Sequence, residues 1–283
     1  MKKISNIPKL VKLPDELHKG SAGRVLCIGG SLGLSGSIIL SAKAAIRTGA
    51  GLVTIALPKE IGNIAATASL ETMTAYCSST SGHLNKKSWL NILPLALKTD
   101  TIVFGPGIGR SNDIPYLLKK TLELNKPAVI DADGLHAFEK LNVIQPSPIV
   151  LTPHIGEMAV LTGKPIPENF EARKKIAAQF ALRKKIILVL KSHRTIVTDG
   201  IQFYEEKAGN PGMATGGSGD VLAGTIASFL LMPDQSAFIN TVRAVHAHSL
   251  AGDLAAKSVS QRFIIASDII ENYGTILKIM ETK

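Results

Sequence analysis

Residues 209–220 form a glycine-rich stretch whose residue types can hold an anion beside a base. They read Gly-Asn-Pro-Gly-Met-Ala-Thr-Gly-Gly-Ser-Gly-Asp, and a long apolar run with helical spacing follows at once. A glycine-rich turn that opens onto a helix presents backbone N–H groups and the positive end of the helix dipole to an anion. Gly216, Gly217 and Gly219 leave room for a phosphate, and Asp220 follows as a proton acceptor. The pattern predicts phosphoryl transfer. The alternative is a glycine-rich surface turn in which Asp220 caps the helix.

Two aspartates at the end of a predicted strand offer hard oxygen ligands. Asp131 and Asp133 follow the apolar run that begins at Ala128. Such carboxylates suit Mg²⁺ or a bound water in a cleft. A turn formed by Asp133 and Gly134 explains the same residues equally well.

His154 and Glu157 are three residues apart at a predicted helix start, directly after Thr152 and Pro153. If both side chains face the cleft, Glu157 can organise Mg²⁺ and water near phosphates and His154 can hydrogen-bond a substrate. The alternative for Glu157 is a capping-box role in the helix. The alternative for His154 is a structural histidine.

A basic segment, Lys191 to Thr195, also follows a predicted strand and reads Lys-Ser-His-Arg-Thr. A cation with small polar groups at a strand end suits nucleotide phosphates. The alternative is an ordinary basic turn.

Other patterns argue against certain kinds of site. Residues 29–33 read Gly-Gly-Ser-Leu-Gly, which does not meet the dinucleotide Gly-x-Gly-x-x-Gly spacing, and no acidic residue ends the second predicted strand. A nicotinamide-binding Rossmann fold is therefore disfavoured, and the Walker pattern is absent. His246 and His248 lie two residues apart on a predicted helix and point in different directions, so they do not indicate a shared metal site.

Short apolar runs alternate with helical patterns along the whole chain. This alternation is typical of a mainly parallel sheet that is covered by helices on both faces. Asp199-Gly200 gives a hairpin signal between 195–198 and 201–205, which predicts one antiparallel pair at a sheet edge. The predicted strands are 24–29, 52–57, 101–104, 128–131, 149–152 and 186–190, and the predicted helices include 37–50, 114–124, 170–183 and 235–257.

The polar motifs follow these strands, at 29–31, 105–107, 131–133, 152–154 and 191–193. In open parallel sheets, ligands bind beyond the carboxyl ends of the strands. The sequence therefore predicts one shared cleft that is lined by several loops.

Composition narrows the class of protein. With 45% hydrophobic and 19% charged residues over 283 positions, the chain has an ordinary enzyme composition. Its net charge is +10. However, Phe180 is the only aromatic residue between the basic clusters 173–175 and 183–185, and one ring provides no stacking platform for nucleic acid. Solvated helix faces explain these clusters, while the positive charge favours small polyanions such as nucleotides.

The sequence gives no sign of a secretory signal or a membrane segment. The first 14 residues carry four lysines, and the longest apolar-rich run, 221–232, is too short to span a bilayer. Cys27 and Cys77 fix no disulfide framework and lack metal-ligand spacing. A cytoplasmic location is expected.

The motifs and their order resemble the ADP/ATP-dependent NAD(P)H-hydrate dehydratases of the ribokinase-like superfamily. The resemblance runs from His18 to about Ala256. Related vitamin kinases carry Asn in a Thr-Pro-Asn-x-x-Glu pattern, so His154 indicates the dehydratase branch. The matched stretches are 18–23, 29–36, 47–53, 105–109, 131–133, 151–157 and 210–224.

The resemblance implies a ribokinase-like three-layer α/β/α fold in a single domain spanning 1–283. It implies that the S epimer of NADHX or NADPHX is phosphorylated on its ring hydroxyl by ADP or ATP, with Mg²⁺, and that phosphate is then eliminated. Asp220 would deprotonate the hydroxyl, and the backbone of Gly216 to Gly219 would hold the phosphoryl group. The further implied roles are catalysis by Gly217 and Gly219; the hydrate site at Ser37, Gly107, His154 and Asp220; the nucleotide site at Lys191, Ser192, His193, Arg194, Thr195 and Gly219; and an indirect metal role for Glu157.

The resemblance also implies a homotetramer, while the composition and the short apolar runs predict that the chain binds no nucleic acid or membrane. Many relatives fuse an epimerase domain at the N-terminus, and this chain begins about 20 residues before the kinase-like fold. No epimerase domain is therefore expected here, and a separate epimerase would act on the same pool. Two residues depart from the family pattern: Ser192 stands where Gly is usual, and Ser37 where Ala is often found.

Two other hypotheses stay open at this stage. One is a small-molecule kinase of the same superfamily that acts on a vitamin hydroxymethyl group. The other is a non-catalytic nucleotide-binding module.

Overall fold

The structure is a computed structural model that describes residues 1–16, 18–141 and 146–281. Apolar and β-branched runs form the central strands. In chain order the strands are β1 (Lys2–Lys3), β2 (Arg24–Ile28), β3 (Leu52–Pro58), β4 (Met73–Cys77), β5 (Ser79–Thr80), β6 (His83–Leu84), β7 (Thr101–Phe104), β8 (Ala128–Ile130), β9 (Ile149–Leu151), β10 (Ile187–Leu190), β11 (Ile196–Thr198) and β12 (Gln202–Glu205).

Within the described ranges, ten of these strands form one sheet in the order β1-β12-β11-β10-β9-β8-β7-β2-β3-β4. The strands from β10 to β4 in this order pair in parallel, whereas β10, β11 and β12 pair antiparallel. The short strands β5 and β6 form a separate hairpin.

Helices cover both faces of the sheet. They are α1 (Ser35–Arg47), α2 (Gly62–Ala68), α3 (Trp89–Leu97), α4 (Ile114–Leu122), α5 (Asp133–Glu139), α6 (Ile155–Thr162), α7 (Phe170–Lys184), α8 (Ser218–Phe229), α9 (Ala237–Val259) and α10 (Ala266–Met280). None of the helices in the described ranges has both the length and the apolar character required to cross a bilayer.

Alternate residues of the buried strands feed two hydrophobic cores. In β2, Val25 and Cys27 pack with α1, α8, α9 and α10, while Leu26 and Ile28 pack with α3 to α7 on the opposite face. A strand buried on both faces needs continuous apolar sequence, which explains the pattern of β2 and its neighbours. The three-layer α/β/α arrangement confirms the predicted fold class.

The predicted strands and helices are present, with ends shifted by at most three residues. The position of the antiparallel pair was wrong. β11 and β12 do not end the sheet, because β1 pairs in parallel with β12 through Lys2 opposite Gln202. The sequence analysis also missed β1, β4 and the β5–β6 hairpin.

The N-terminal segment is tied to α9 by a buried arginine. Arg243 is fully buried, and its Nε donates to the carbonyl oxygen of Pro8 at 3.0 Å. Its Nη2 donates to the carbonyl oxygen of Lys9, and its Nη1 donates to Asp234 at 2.8 Å. Leu10 forms a further bridge to Glu281. The first ten residues therefore add a strand to the edge of the sheet and also contact the helical layer that contains α9.

Helices α1 and α8 approach so closely that one position accepts only glycine. A Cβ atom on Gly224 would lie 1.9 Å from the carbonyl oxygen of Ser41. At the start of α8, a Cβ on Gly217 would lie 2.5 Å from Leu40 Cδ1, and Gly217 has φ +90°. The register between α1 and α8 is therefore fixed by backbone contact.

We expect Gly224→Ala to lower the free energy of unfolding by about 1–3 kcal/mol, because the added methyl group forces the two helices apart. Urea denaturation followed by circular dichroism measures this. The control is Gly36→Ala in α1, where no atom lies within 4 Å of the added Cβ; it should be neutral or stabilising by roughly 0.5–1 kcal/mol. Equal unfolding midpoints for the two variants would contradict the close approach.

Candidate functional site

The carboxyl ends of β7 to β10 bring the predicted motifs together. Lys191, after β10, donates its backbone N–H to the carbonyl oxygen of Pro153 at 2.8 Å, and a parallel bridge joins it to His154. Gly105, after β7, packs against the loop after β8, since a Cβ there would lie 2.1 Å from the carbonyl oxygen of Asp131. These loops form one continuous wall, as the sequence predicts.

An ion pair between Asp131 and Lys191 lies at the centre of this wall. Lys191 Nζ is 2.9 Å from Asp131 Oδ1, and the Thr152 hydroxyl donates to the same carboxylate oxygen at 2.7 Å. Asp131 is 2% exposed. Burial disfavours the ammonium of Lys191, but the nearby carboxylates of Asp131, Glu157 and Asp220 outweigh this effect and raise its pKa. Lys191 therefore keeps a positive charge in the cleft.

The first turn of α8 faces this ion pair at Gly219. A Cβ on Gly219 would lie 3.0 Å from Lys191 Nζ and 3.7 Å from Asp131 Oδ2. Any larger residue would crowd the ammonium, so glycine lets the helix backbone approach the charge directly. The sequence prediction that Gly219 and Lys191 share a site is consistent with this geometry.

Asp220 lies next to Gly219 in the same turn and is partly buried. Its pKa is raised to about 7, first because burial disfavours the charged form and second because Asp131 carries a like charge. A hydrogen bond from Ser37 and the charge of Lys191 act in the opposite direction. A carboxyl that titrates near neutral pH is suited to general base catalysis. Asp220 is not the helix cap, because α8 is preceded by Gly217 in that position.

The same turn offers unpaired donors. Among the described residues, the backbone N–H groups of Gly217, Gly219 and Asp220 find no acceptor, as expected for a helix N-terminus. Gly216 has no atom within 4 Å of a Cβ position, so the approach to these donors is open. The donors and the helix dipole form an anion-binding turn next to Asp220 and Lys191.

Ser37 and Gly107 lie on the other side of Asp220. A Cβ on Gly107 would lie 3.1 Å from Ser37 Cβ and 2.5 Å from the carbonyl oxygen of Leu34, and its φ is +63°. Ser37 in turn hydrogen-bonds the Asp220 carboxylate. The structure thus brings three of the four residues predicted for the hydrate site together.

His154 and Glu157 form the capping box that the alternative interpretation described. His154 Nδ1 accepts from the backbone N–H groups of Gly156 and Glu157 at 3.0 and 3.2 Å, and Glu157 Oε2 accepts from the backbone N–H of His154 at 2.8 Å. His154 remains 59% exposed, with its other ring nitrogen 3.5 Å from Glu157 Oε2. The cap fixes His154 at the cleft rim beside Lys191 and leaves most of its ring accessible.

The segment from Lys191 to Thr195 forms a turn that is held by hydrogen bonds within the segment. Of its side chains, that of Lys191 contacts Asp131. Ser192 Oγ donates to the carbonyl oxygen of Arg194 at 2.9 Å, and Thr195 Oγ1 donates to that of Ser192 at 3.0 Å. Arg194 Nε donates to Glu205 at 2.6 Å, and its guanidinium lies 3.8 Å from the Phe170 ring centroid. His193 is exposed.

Of the two interpretations of Asp131 and Asp133, the contacts of Asp133 favour a structural role for that residue. Asp133 begins α5 and pairs with Arg110 at 2.7 Å, because Ala132 between the two aspartates has φ +51° and turns the chain. Across the described ranges, no group of three His, Cys, Asp or Glu side chains is arranged to hold a metal ion. His246 and His248 have different partners, as the sequence predicts.

Sequence reasoning missed three polar side chains that shape the site. Thr152 supports Asp131, Ser41 donates to the carbonyl oxygen of Asp220 at 2.8 Å, and Ser218 contacts His248. A buried polar residue at a strand end was the available signal for Thr152. Ser41 and His248 carry no such signal, because they depend on how α1 and α9 pack on α8.

Comparison with known proteins shows which family the chain resembles. A family model described as NAD(P)H-hydrate dehydratase matches residues 25–273. The bifunctional NAD(P)H-hydrate repair enzyme of Moorella thermoacetica is 40% identical over 274 residues, covering 93% of this chain and 51% of that protein. The ADP-dependent (S)-NAD(P)H-hydrate dehydratase of Listeria monocytogenes is 32% identical, covering 99% of this chain and 97% of that protein. The chain spans about half the length of the bifunctional relatives it matches.

Solved structures share the fold. A ribokinase-like superfamily protein from Enterococcus faecalis superposes with a TM-score of 0.82 at 28% identity, covering 100% of this chain and 97% of that one. The ADP/ATP-dependent NAD(P)H-hydrate dehydratase of Bacillus subtilis, co-crystallised with ATP and Mg²⁺, gives 0.84 at 23% identity, covering 98% and 100%. The predicted ribokinase-like fold is confirmed.

We expect Asp220→Asn to become more stable relative to the wild type as pH rises from about 4 to 7, by about 3–4 kcal/mol. The raised pKa of Asp220 means that the folded state binds more protons than the unfolded state in this window, so the wild type loses stability as pH rises. Below pH 4 the difference should be constant. Urea denaturation at each pH measures it, and a difference that does not vary with pH would contradict the raised pKa.

Proposed function

The chain belongs to the NAD(P)H-hydrate dehydratase family, and from this premise we propose that it repairs damaged nicotinamide nucleotides. In the proposed reaction it dehydrates the S epimer of NADHX or NADPHX to NADH or NADPH at the expense of ADP or ATP. The observation that carries the proposal is the place of Asp220, whose carboxyl titrates near pH 7 beside unpaired N–H donors.

In the first step, Asp220 takes the proton of the substrate's ring hydroxyl. The oxygen then forms a bond to the terminal phosphorus of the nucleotide, and the bond from that phosphorus to the leaving nucleotide breaks. ADP leaves as AMP, or ATP as ADP. The N–H groups of Gly217 and Gly219 hold the phosphoryl oxygens, and the ammonium of Lys191 neutralises their charge.

In the second step, phosphate leaves with the electron pair of its bond to the ring carbon. The neighbouring ring carbon loses a proton, and the ring double bond is restored. Phosphorylation is what turns a poor leaving group into a good one. The enzyme is therefore a lyase that uses a kinase-like first step.

The structure divides the proposed nucleotide residues into two kinds. Lys191 faces the anion-binding turn, whereas Arg194 is engaged with Glu205 and Phe170 and so shapes the loop. The Ser192 hydroxyl is bonded within the loop, to the carbonyl oxygen of Arg194. His193 and Thr195 complete the turn, whose backbone we propose as the adenine nucleotide contact.

For the substrate, Ser37 and Gly107 form one wall beside Asp220, and exposed His154 stands at the opposite rim. Ser37 replaces the smaller residue often found there, and its hydroxyl supports the Asp220 carboxylate. We propose that His154 hydrogen-bonds the hydrate from the rim.

Mg²⁺ fits as an ion carried by the nucleotide. The described residues form no all-protein cage, but Glu157 is 14% exposed and places its carboxylate near Lys191 and Asp220. A single carboxylate that acts through water suits Mg²⁺, which retains several waters and binds substrate phosphates. When bound, the ion would neutralise charge on the transferring phosphate.

The proposal extends to a homotetramer in the cytoplasm. The edge strand β4 carries Met73 and Tyr76 with about half of each side chain exposed, which supports self-association. Both cysteines are free and buried, which suits a reducing compartment.

We expect purified protein to restore the reduced-nicotinamide absorbance of chemically hydrated NADPH when Mg²⁺ and either ADP or ATP are present. Because the proposed site is specific for one epimer, recovery should stop near half of an epimer mixture. Parallel reactions with ADP and ATP identify the donor. No recovery, or a product that retains phosphate by mass spectrometry, would contradict dehydration, and the retained phosphate would indicate the kinase hypothesis.

We expect Asp220→Asn to lower turnover by at least about a hundredfold, since it removes the general base. Affinity for the adenine nucleotide, measured by calorimetry, should stay the same or increase by less than about threefold, because the substitution removes a negative charge and no proposed nucleotide contact. The control is Asp199→Asn in the β11–β12 turn, where the amide oxygen can keep the hydrogen bonds from Ile201 and Gln202. Undiminished turnover in Asp220→Asn would exclude Asp220 as the base.

A further inference from the structure

A buried chain of four polar side chains begins in α8, passes through α10 and α9, and returns to α8 at the anion-binding turn. Thr225 Oγ1 lies 2.6 Å from the Tyr273 hydroxyl, which lies 3.0 Å from His248 Nδ1. His248 Nε2 lies 3.3 Å from Ser218 Oγ. All four residues are buried. Ser218 stands between Gly217 and Gly219, so the chain ends within the turn that presents the N–H donors.

The chain works through hydrogen bonds and not through charge. Burial, and secondly the charge of Lys191, lower the pKa of His248 to about 3, so its ring is neutral. Burial raises the pKa of Tyr273 above its usual range, so its hydroxyl stays protonated. A neutral imidazole has one donor and one acceptor nitrogen. If His248 accepts a hydrogen bond from Tyr273 at Nδ1, it therefore donates one to Ser218 from Nε2, and the reverse also holds.

Two proton arrangements satisfy this chain. In one, Ser218 donates to His248, and Thr225 donates back to the carbonyl oxygen of Val221, which lies at 2.9 Å. In the other, Thr225 donates to Tyr273, Tyr273 donates to His248, and His248 donates to Ser218. The second arrangement directs the positive ends of the bond dipoles towards the anion-binding turn, so a bound phosphoryl group selects it.

Apart from the Ser218–His248 contact, the first turn of α8 packs against α1, against Ala266 of α10 at Gly217, and against the Asp131–Lys191 ion pair at Gly219. Helix α1 supports it through the Ser41 hydroxyl on the carbonyl oxygen of Asp220 and through Leu40 beneath Gly217. The preceding Gly216 is exposed and has no neighbour near a Cβ position. The contact of Ser218 with His248 is the polar attachment of this turn to α9.

We propose that His248 is a positioning residue which, through Ser218, holds the N–H groups of Gly217 and Gly219 where the terminal phosphoryl group of the nucleotide needs them. This inference rests on the proposed function, in which that turn receives the phosphoryl group transferred from ADP. AMP lacks this group. The contribution of His248 should therefore appear in ADP binding and not in AMP binding.

The test is calorimetric titration of the full chain with ADP and with AMP, each with Mg²⁺. In His248→Asn the side-chain amide reaches the position of Nδ1 and keeps the Tyr273 contact. In His248→Gln it reaches the position of Nε2 and can still donate to Ser218. We expect His248→Asn and Ser218→Ala each to weaken ADP binding about tenfold and AMP binding less than about twofold. The double variant should be no weaker than either single variant, and His248→Gln should bind ADP like the wild type.

The matched control is Asn240→Ala, which removes a buried side chain of α9 that donates to the carbonyl oxygen of Met232 at 2.8 Å. It should lower stability and leave the ratio of ADP to AMP affinity unchanged. Equal weakening of both nucleotides in His248→Asn, additive losses in the double variant, or unchanged ADP binding would overturn the inference. If His248→Asn fails to fold, Ser218→Ala decides by the same ratio.

These outcomes are separate from those of the proposed function, because binding requires no turnover. A wild type that binds ADP but does not dehydrate the hydrate overturns the proposed function alone. An unchanged affinity ratio in a variant of an active wild type overturns the role of His248 alone. A wild type that binds neither nucleotide overturns both.

Discussion

The close approach of the α8 backbone to its surroundings is the constraint on which the site depends. At Gly219 the backbone lies against the Asp131–Lys191 ion pair, and at Gly224 it lies against the backbone of α1. Because neither position carries a side chain, the helix N-terminus sits deep enough to bury Asp220 beside its own unpaired N–H groups. The same depth removes water from the carboxyl, which is the largest cause of its raised pKa. The close packing of α8 thus determines both the shape of the site and the raised pKa of Asp220.

The ionisable side chains of the site influence how strongly it can bind an anion. Lys191 stands among the carboxyl groups of Asp131, Glu157 and Asp220, so three acids surround one base in the described part of the cleft. With all three ionised, a phosphate would meet net negative charge. The raised pKa of Asp220 lessens this repulsion near neutral pH, since a part of the molecules hold that carboxyl neutral. The helix dipole and N–H donors add attraction without adding titratable charge.

Local patterns and strand-end placement were predictable from the sequence, whereas contacts between distant helices were not. Glycines before a helix and polar residues after apolar strands identify Gly219, Asp131 and Lys191, because each signal is contained in a few neighbouring residues. The partners of Arg194 and the contact of Ser218 with His248 depend on packing between separate elements, so their signals are spread over the chain. Asp133 shows the converse: its sequence neighbour Asp131 lies in the site, but the positive φ of Ala132 turns Asp133 out of it. Strand β1 was missed because two lysines have no strand pattern of their own.

The attachment of the N-terminal segment has a consequence for the order of folding. Lys2 and Lys3 pair with residues some two hundred positions later, and the carbonyl oxygens of Pro8 and Lys9 are held by Arg243. During synthesis these early residues leave the ribosome long before their partners exist, while the strands from β2 to β10 can already assemble. The N-terminal segment is therefore among the last parts of the chain to adopt its native contacts, and it can dock only after α9 has formed.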